Sequence, residues 1–204
     1  MSGPTGDSGT KTGTSSMSER SVEQTASMIA MQAGHGNAIC YSGYREGQSP
    51  QAGIYPGYEE IREDLDILAK NWKFLRLYDC SPHAETVLEV IRNEGLDFKV
   101  MLGLDMAAEM SNWNCPWGAE YSEEILSANR HANSKQVDKL IALANRCPEI
   151  VTCASVGNEA TVEWTDHMVS VESLLEYVRR IKAAISQPVT FCENYVPWTS
   201  KLEP

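Results

Sequence analysis

Beyond Asn37, short apolar runs alternate along the chain with longer segments in which apolar residues recur at helical spacing. Five runs have the length of strands and carry β-branched or aromatic residues. They cover residues 38–41, 74–78, 98–102, 150–156 and 189–192. A strand followed by a helix and then by another strand is typical of repeated βα units, so the pattern predicts an α/β fold with a parallel sheet.

Four segments between or after these runs repeat apolar residues at the spacing of one helix face. The second of these helices has the clearest ends, because Ser81 can cap it, Pro82 suits its first turn and Gly95 can close it. Each apolar face is expected to cover one side of the sheet. The faces comprise Tyr58, Ile61, Leu65 and Leu68; Ala84, Val87, Leu88 and Ile91; Val137, Leu140, Ile141 and Ala144; and Val171, Leu174, Leu175, Val178 and Ile185.

The run at 150–156 is nearly continuous in apolar and small residues. Such a run predicts a parallel strand that is buried on both faces. Residues 1–36, in contrast, are rich in Ser, Thr and Gly and have few large apolar groups. Because this composition cannot repay the entropy of ordering, it predicts a disordered tail, and residues 37–204 are left as one domain.

The chain has 204 residues, of which 42% are hydrophobic, and this is enough for one sizeable core. Its 17 Lys and Arg against 28 Asp and Glu give a formal net charge of -11, so we expect no nucleic-acid partner. No apolar stretch approaches the roughly 20 residues of a membrane span, and no basic and then apolar segment follows Met1. We expect no membrane span and no export signal, hence a cytoplasmic protein, or an extracellular or periplasmic one if translation starts elsewhere. The oligomeric state stays open.

The six cysteines and four histidines show no spacing typical of a metal site. No cysteine pair has C-x-x-C spacing, and no two histidines lie at i and i+4. We therefore expect no metal and no cofactor, and we expect the histidines in surface or capping positions. Cys40, Cys80, Cys153 and Cys192 lie in or beside apolar runs, which predicts small buried hydrophobes. Cys147 and Cys153 form the pair most worth testing for a disulfide.

Polar and aromatic residues gather directly after the predicted strands. In β/α folds, chemistry collects at these carboxyl ends, on the loops that precede the helices. Sugars bind flat aromatic rings beside carboxylates, amides and guanidinium groups, so the segments predict a saccharide cleft, with packing of the rim as the alternative for any one ring. The segments are Tyr41-Ser42-Gly43-Tyr44-Arg45, Arg76-Leu77-Tyr78-Asp79, Gly103-Leu104-Asp105-Met106, Val156-Gly157-Asn158-Glu159 and Glu193-Asn194-Tyr195-Val196-Pro197-Trp198.

Three of these regions carry a resemblance to a known family. The matching residues are Ile39-Cys40-Tyr41-Ser42-Gly43-Tyr44-Arg45, Leu75-Arg76-Leu77-Tyr78-Asp79 and Val156-Gly157-Asn158-Glu159. They resemble glycoside hydrolase family 17, the β-1,3-glucanases and glucanosyltransferases, and the similarity spans residues 37–204. The resemblance implies a (β/α)8 TIM barrel, of which residues 37–204 would hold about five βα units as its incomplete, N-terminal part.

The resemblance also implies roles for single residues. Glu159 would be the general acid/base, and Asn158 would bind the sugar hydroxyl beside the reacting carbon. Tyr41 and Tyr78 would line the subsite. Arg76 would either orient a carboxylate in the barrel mouth or serve only as a buried ion-pair partner. From their positions at the strand ends, rather than from the resemblance, Tyr44, Asp105 and Trp198 are expected to bind substrate, and Glu193 is expected to be a substrate-binding or structural residue.

A retaining mechanism needs a second carboxylate as nucleophile, which the family carries on its seventh strand. A full barrel takes about 250 residues, so we expect this glutamate beyond Pro204, on βα units outside this chain. Glu193 is a poor substitute, because neighbouring strands do not face each other across the mouth. The expectation is a glycosidase or glucanosyltransferase for poly- or oligosaccharides with β-1,3 linkages, of which this chain is a fragment. The alternatives are an inactive glucan-binding fragment, a barrel glycosidase for another linkage, and a barrel completed by a second chain.

Overall fold

The computed structural model of the protein describes residues 34–200 and 202. The predicted tail, residues 1–36, lies outside the described residues except for its last three. The described part consists of β1 (Ala38–Cys40), α1 (Tyr58–Leu68), β2 (Phe74–Leu77), α2 (Pro82–Asn93), β3 (Lys99–Leu104), α3 (Glu123–Arg146), β4 (Val151–Asn158), α4 (Val171–Ala184), β5 (Val189–Cys192) and α5 (Tyr195–Trp198). All five predicted strands are confirmed.

The strands form one parallel sheet in the order β1-β2-β3-β4-β5. Each strand therefore pairs with the next strand along the chain, which is the arrangement in the wall of a β/α barrel. In the register, Leu75 lies between Ile39 and Val100, and Asn158 at the end of β4 pairs with Cys192 at the end of β5. The carboxyl ends of all five strands consequently meet at one edge, where the polar segments lie.

One face of the sheet forms the core with the helices. Leu75, Leu77 and Leu102 on this face are fully buried. Side chains of the opposite face, such as Met101 and Cys153, keep partial contact with solvent. The predicted burial of β4 on both faces therefore holds only in its carboxyl half, since within the described residues helices cover only one side of the sheet.

The ends of the helices follow local sequence chemistry. Pro82 occupies the first position of α2, and Gly95 after that helix has φ 65°, as expected for a left-handed closing residue. Ser81 is at the N-cap of α2, but its hydroxyl donates to Asp79 and does not cap the helix. In α4, Leu175 is exposed, contrary to its predicted place on the apolar face, and Tyr177 is buried there.

Cys147 and Cys153, the pair most worth testing for a disulfide, are both free. Cys147 belongs to the core between helices and sheet. Cys153 precedes the fully buried Ala154, and because neighbouring strand residues point to opposite faces, its side chain lies on the other side of the sheet. Cys40, predicted to be buried, is exposed on β1. Among the described residues, no helix has the length and apolar content to cross a membrane.

Candidate active site

Glu159 follows β4 directly and is held in an unusual backbone conformation. Its φ is 48°, and Gly157 two residues before it has φ 82°. A residue with a side chain in this left-handed region costs of order 1–3 kcal/mol and persists only when its surroundings impose it. The Glu159 amide donates to the carbonyl of Cys192 on β5 at 2.9 Å. Its side chain is exposed and makes no hydrogen bond or ion pair with the described residues.

Asn158 is oriented by Arg76, which reaches it from β2. Arg76 Nη2 donates to Asn158 Oδ1 at 2.5 Å, and the guanidinium lies over the Tyr78 ring at 4.6 Å from the ring centre. Because Asn158 Oδ1 accepts this bond, the side-chain NH2 group is left to donate elsewhere. Among the described residues Arg76 thus orients an amide rather than the carboxylate that was predicted, and it is not part of an ion pair there.

The loop after β1 is folded against α1 and α2. Tyr41 is only 7% exposed, and its hydroxyl donates to Asp64 Oδ2 at 2.8 Å. Arg45 donates from Nη1 to Asp64 Oδ2 and from Nη2 to Asp64 Oδ1, at 2.8 Å each. Burial and the bond to Asp64 raise the pKa of Tyr41. Tyr41 therefore packs the loop after β1 against α1 and does not present its ring to a ligand, in contrast to its predicted role.

His83 on α2 also contacts the loop after β1. Its Nε2 accepts from the Gly43 amide at 3.3 Å, and its ring stacks on Tyr44 with centres 5.2 Å apart. Burial lowers the pKa of His83, which agrees with a neutral ring whose Nε2 is an acceptor. The Tyr44 hydroxyl lies beside Ser81 and Asp79 at the end of β2. The His83 ring also lies beside Tyr41, with ring centres 5.4 Å apart. His83, predicted in a surface or capping position, is thus buried between two predicted site residues.

Asp105, which follows β3, lies in a cavity of about 430 Å³ together with His167 from the loop after β4. Asp79, Ser81 and Tyr55 also line this cavity. Although Asp105 keeps contact with solvent, the surrounding loops desolvate its carboxylate, and this raises its pKa despite the attraction of His167. The imidazole of His167, which shares this cavity with the Asp105 carboxylate, also contacts the Asn158 carbonyl at 3.0 Å.

The loops after β3 and β4 are joined by buried polar side chains. The Asn112 side-chain amide donates to the carbonyls of Glu163 and Thr165, at 2.7 Å each. Glu109 is buried, and its Oε1 accepts from the Tyr177 hydroxyl at 2.6 Å and from Asn133 at 2.8 Å. Such satisfied networks rigidify the segments that they connect. The loop that follows Glu159 is therefore fixed to its neighbour.

The carboxylate of Glu193, which follows β5 directly, accepts hydrogen bonds from within the protein at both of its oxygens. Its Oε2 accepts from the amide and the hydroxyl of Thr161, at 2.8 and 2.7 Å, and its Oε1 accepts from the Asn194 amide at 2.7 Å. The carboxylate therefore ties the loop after Glu159 to the end of β5. The carboxylate of Glu159, in contrast, is uncommitted: it makes no hydrogen bond or ion pair with the described residues.

Exposed aromatic side chains lie on the segments that follow β3, β4 and β5. Trp198 is half exposed and packs beside Phe191, with ring centres 6.1 Å apart. Trp113, Trp117 and Trp164 are exposed on the two joined loops, Trp113 to 74%. Exposed rings on rigid loops are flat apolar surfaces of the kind that saccharides use.

The comparisons with known proteins agree with this geometry. The sequence matches no protein-family model and no curated protein. Among solved structures, an endo-laminarinase from Formosa Hel1_33_131 is 28% identical with a TM-score of 0.63, and the match covers 79% of this chain and 42% of that one. The five βα units are part of a glycosidase-type (β/α)8 barrel. The chain spans less than half the length of this endo-laminarinase.

Two further structures share the fold at lower identity. An active-site mutant of a Rhizomucor miehei β-1,3-glucanosyltransferase in complex with laminaritriose is 17% identical with a TM-score of 0.56, and the match covers 82% of this chain and 52% of that one. A Bacteroides uniformis β-glucuronidase is 12% identical with a TM-score of 0.51, over 82% of this chain and 19% of that one. The predicted fold class is confirmed, and so is the predicted resemblance to barrel glycoside hydrolases as a broad group.

Sequence reasoning missed several residues that build the site. His167 contacts the carbonyl of Asn158, and Asn112 and Glu109 hold the loops, yet none of them follows a strand directly. One signal was available: Glu109 and Asn112 lie in a long segment between β3 and α3, and long ordered loops in compact domains are commonly functional.

Proposed function

We propose that this chain carries the acid/base half of a retaining glycoside hydrolase or glucanosyltransferase of family 17 that acts on β-1,3-linked glucan. One observation carries the proposal: the uncommitted carboxylate of Glu159 lies beside an Asn158 that Arg76 orients, at the carboxyl edge of a glycosidase-type barrel. The 28% identity to an endo-laminarinase supports the choice of glucan. Residues 37–204 are the N-terminal part of the barrel domain in this proposal.

Glu159 acts in both steps of the reaction. In the first step its carboxylic acid gives a proton to the glycosidic oxygen, while a second carboxylate attacks the anomeric carbon and the C–O bond breaks. In the second step the Glu159 carboxylate takes a proton from water or from a sugar hydroxyl, which then displaces the enzyme carboxylate. Water gives hydrolysis and a sugar hydroxyl gives transfer.

Asn158 contributes through its free NH2 group. Its Oδ1 accepts from Arg76, so the NH2 group donates to the hydroxyl next to the reacting carbon. This bond strengthens as positive charge develops on the sugar ring in the transition state. Tyr44, Tyr78, Asp105 and Trp198 are the proposed substrate contacts. Three further residues have supporting roles in this proposal. Arg76 orients Asn158, and Tyr41 holds the loop after β1 through its bond to Asp64. Glu193 holds the loop after β4 through its bond from Thr161.

The second carboxylate comes from outside the described residues in this proposal. A retaining pair is about 5 Å apart across the mouth. Glu193 is on the strand next to β4, and both of its oxygens accept bonds from Thr161 and Asn194. Asp79 is bonded to Ser81 by its Oδ1. In this proposal the nucleophile belongs to a strand further round the barrel, beyond β5.

A second candidate function is glucan binding without catalysis. It is favoured by the presence of one uncommitted glutamate at the strand ends of the described part. In this case the exposed rings and Asn158 bind the saccharide, and Glu159 is one more hydrogen-bonding group.

Reducing-sugar release from laminarin separates these functions. The natural polypeptide that contains this chain is expected to release sugar, and Glu159→Gln to abolish release while it leaves laminari-oligosaccharide binding intact. Glu163→Gln, an exposed glutamate in the same loop, is the matched control and retains activity. Binding without release in the parent protein would favour the binding module, and release unchanged by Glu159→Gln would remove Glu159 from the reaction.

A further inference from the structure

We propose that His167 is a positioning residue for Glu159: its Nε2–H donates to the Asn158 carbonyl and fixes the peptide unit between Asn158 and Glu159. The distance from Nε2 to the carbonyl oxygen is 3.0 Å. The relevance of this contact to catalysis rests on the proposed function, whereas the contact itself can be tested without it.

The peptide unit that joins Asn158 to Glu159 is held at both of its polar groups. Its N–H, which belongs to Glu159, donates to the Cys192 carbonyl at 2.9 Å. Its C=O, which belongs to Asn158, accepts from His167. A peptide unit is planar, so two bonds on opposite edges fix its orientation. The two bonds therefore fix the peptide plane on the N-terminal side of Glu159, whose φ is 48°, and so help to set the direction of the side chain.

His167 is itself held on both sides. The carbonyl of Thr165 accepts from the buried Asn112 side chain, and the carbonyl of Met168 accepts from the amides of Glu109 and Met110 at 2.9 and 3.2 Å. The ring therefore projects from a loop segment that is anchored to the loop after β3. A donor on such a segment has little freedom to move away from Asn158.

The chemistry of the partners identifies which ring nitrogen carries a proton. A carbonyl oxygen can only accept, so Nε2 must donate to Asn158. Nδ1 lies 2.7 Å from Asp166 Oδ1 and 3.1 Å from the Thr165 hydroxyl. The protonated ring donates from Nδ1 to Asp166, and the neutral ring accepts there from Thr165. The donor to Asn158 is retained in both charge states.

The charged groups around the ring favour its protonated form. Asp166 on the same loop and Asp105 after β3 face it, and Asp79 and Tyr55 line the same cavity. Burial lowers the pKa of His167, but the bonds to Asn158 and Asp166 and the charge of Asp105 outweigh it and raise the pKa overall.

Two substitutions separate the two ring nitrogens. Glutamine places its side-chain NH2 near the position of Nε2, whereas asparagine places it near Nδ1. His167→Gln therefore keeps the bond to Asn158 and loses the contact with Asp166, and His167→Asn does the reverse. His131→Gln is the matched control, because His131 is exposed on α3.

Nuclear magnetic resonance of this chain gives the test without any activity. We expect the wild-type ring to carry a proton on Nε2, and we expect His167→Asn to shift the amide and carboxyl resonances of Glu159 while His167→Gln and His131→Gln leave them near their wild-type values. An unprotonated Nε2, unshifted Glu159 resonances in His167→Asn, or equal shifts in His167→Asn and His167→Gln would each overturn the proposal. The ring measurement uses the unaltered protein, so it stands even if a variant fails to fold.

Kinetics connects the contact to the proposed reaction. In the natural polypeptide, His167→Asn is expected to lower kcat roughly 10- to 100-fold through misplacement of Glu159, with little change in KM. His167→Gln is expected to restore most of kcat. Equal kcat values in both variants would overturn the positioning role. Absence of wild-type glucan cleavage, with the expected resonance shifts present, would instead contradict only the proposed function.

Discussion

Arg76 on β2 donates to Asn158 at the end of β4, two strands away, with 2.5 Å between Nη2 and Oδ1. Between them lies β3, so the guanidinium crosses the face of the sheet that does not pack on the helices. The bond fixes which end of the Asn158 amide faces Arg76. It thereby joins the end of the second strand to the residue that precedes Glu159.

Replacement of the Arg76 guanidinium by a lysine ammonium group is expected to impair the proposed reaction. Arg76→Lys replaces a planar guanidinium with a single ammonium group that cannot keep the same geometry over Tyr78. We expect kcat/KM on laminarin to fall roughly 10- to 100-fold, because the ammonium group does not reproduce the guanidinium bond to Asn158. Arg62→Lys on the exposed side of α1 is the control and is expected to have no effect. Wild-type kinetics in Arg76→Lys would show that the bond to Asn158 is dispensable.

The loop after β1 is expected to tolerate no side chain at Gly43. An added Cβ would lie 2.2 Å from the Tyr41 hydroxyl and 2.8 Å from Asp64 Oδ2, so Gly43→Ala must break the Tyr41–Asp64 contact. We expect a loss of about 1–3 kcal/mol in the free energy of unfolding by urea. Gly57→Ala, where the nearest atom is 3.9 Å away, is the control; it creates no clash and changes only the residue at the N-cap of α1, so we expect it to cost less than Gly43→Ala. Equal stabilities for the two variants would contradict this packing.

The buried bond from Tyr177 to Glu109 is expected to couple α4 to the loop after β3. A double-mutant cycle of Tyr177→Phe and Glu109→Gln should give a coupling of about 0.5–3 kcal/mol in unfolding free energy. Tyr177→Phe alone leaves a buried carboxylate with one donor fewer, and we expect it to cost about 1–3 kcal/mol. Tyr195→Phe removes a hydroxyl from a side chain that is 76% exposed and serves as control. Additive effects in the cycle would mean that the two side chains do not interact.

The charge on His167 is expected to make stability depend on pH. Its pKa is raised in the folded protein, so protonation stabilises the fold. This contribution is fully present below the unfolded pKa of about 6.5 and is lost as the pH rises through the folded value. The difference in unfolding free energy between wild type and His167→Gln should therefore be larger at about pH 5.5 than at about pH 8.5. A difference that is constant with pH, or that grows as the pH rises, would contradict a raised pKa.

Positions that depend on local pattern could be predicted from the sequence. Asn158 and Glu159 lie at the end of β4, and Pro82 and Gly95 bound α2, so periodicity and local backbone preferences were sufficient for these positions. Tyr41 also ends a strand, but its hydroxyl meets Asp64 on α1, and sequence spacing does not reveal that contact. Contacts made by loop residues, such as that of His167 with Asn158 at the end of the preceding strand, depend on how loops of irregular shape fold back, and no sequence period encodes this.

The role of Glu159 as acid/base is tested most directly by the dependence of Glu159→Ala on the leaving group. In the natural polypeptide that contains this chain, we expect kcat/KM on laminarin to fall roughly 10²- to 10⁴-fold, because the departing sugar alkoxide needs a proton. An aryl glucoside oligomer with an acidic phenol needs little protonation, so its first step should be nearly unaffected. Added azide, which needs no general base, should then restore turnover and give a glycosyl azide of retained configuration. Equal losses on both substrates, with no rescue by azide, would contradict the assignment of Glu159.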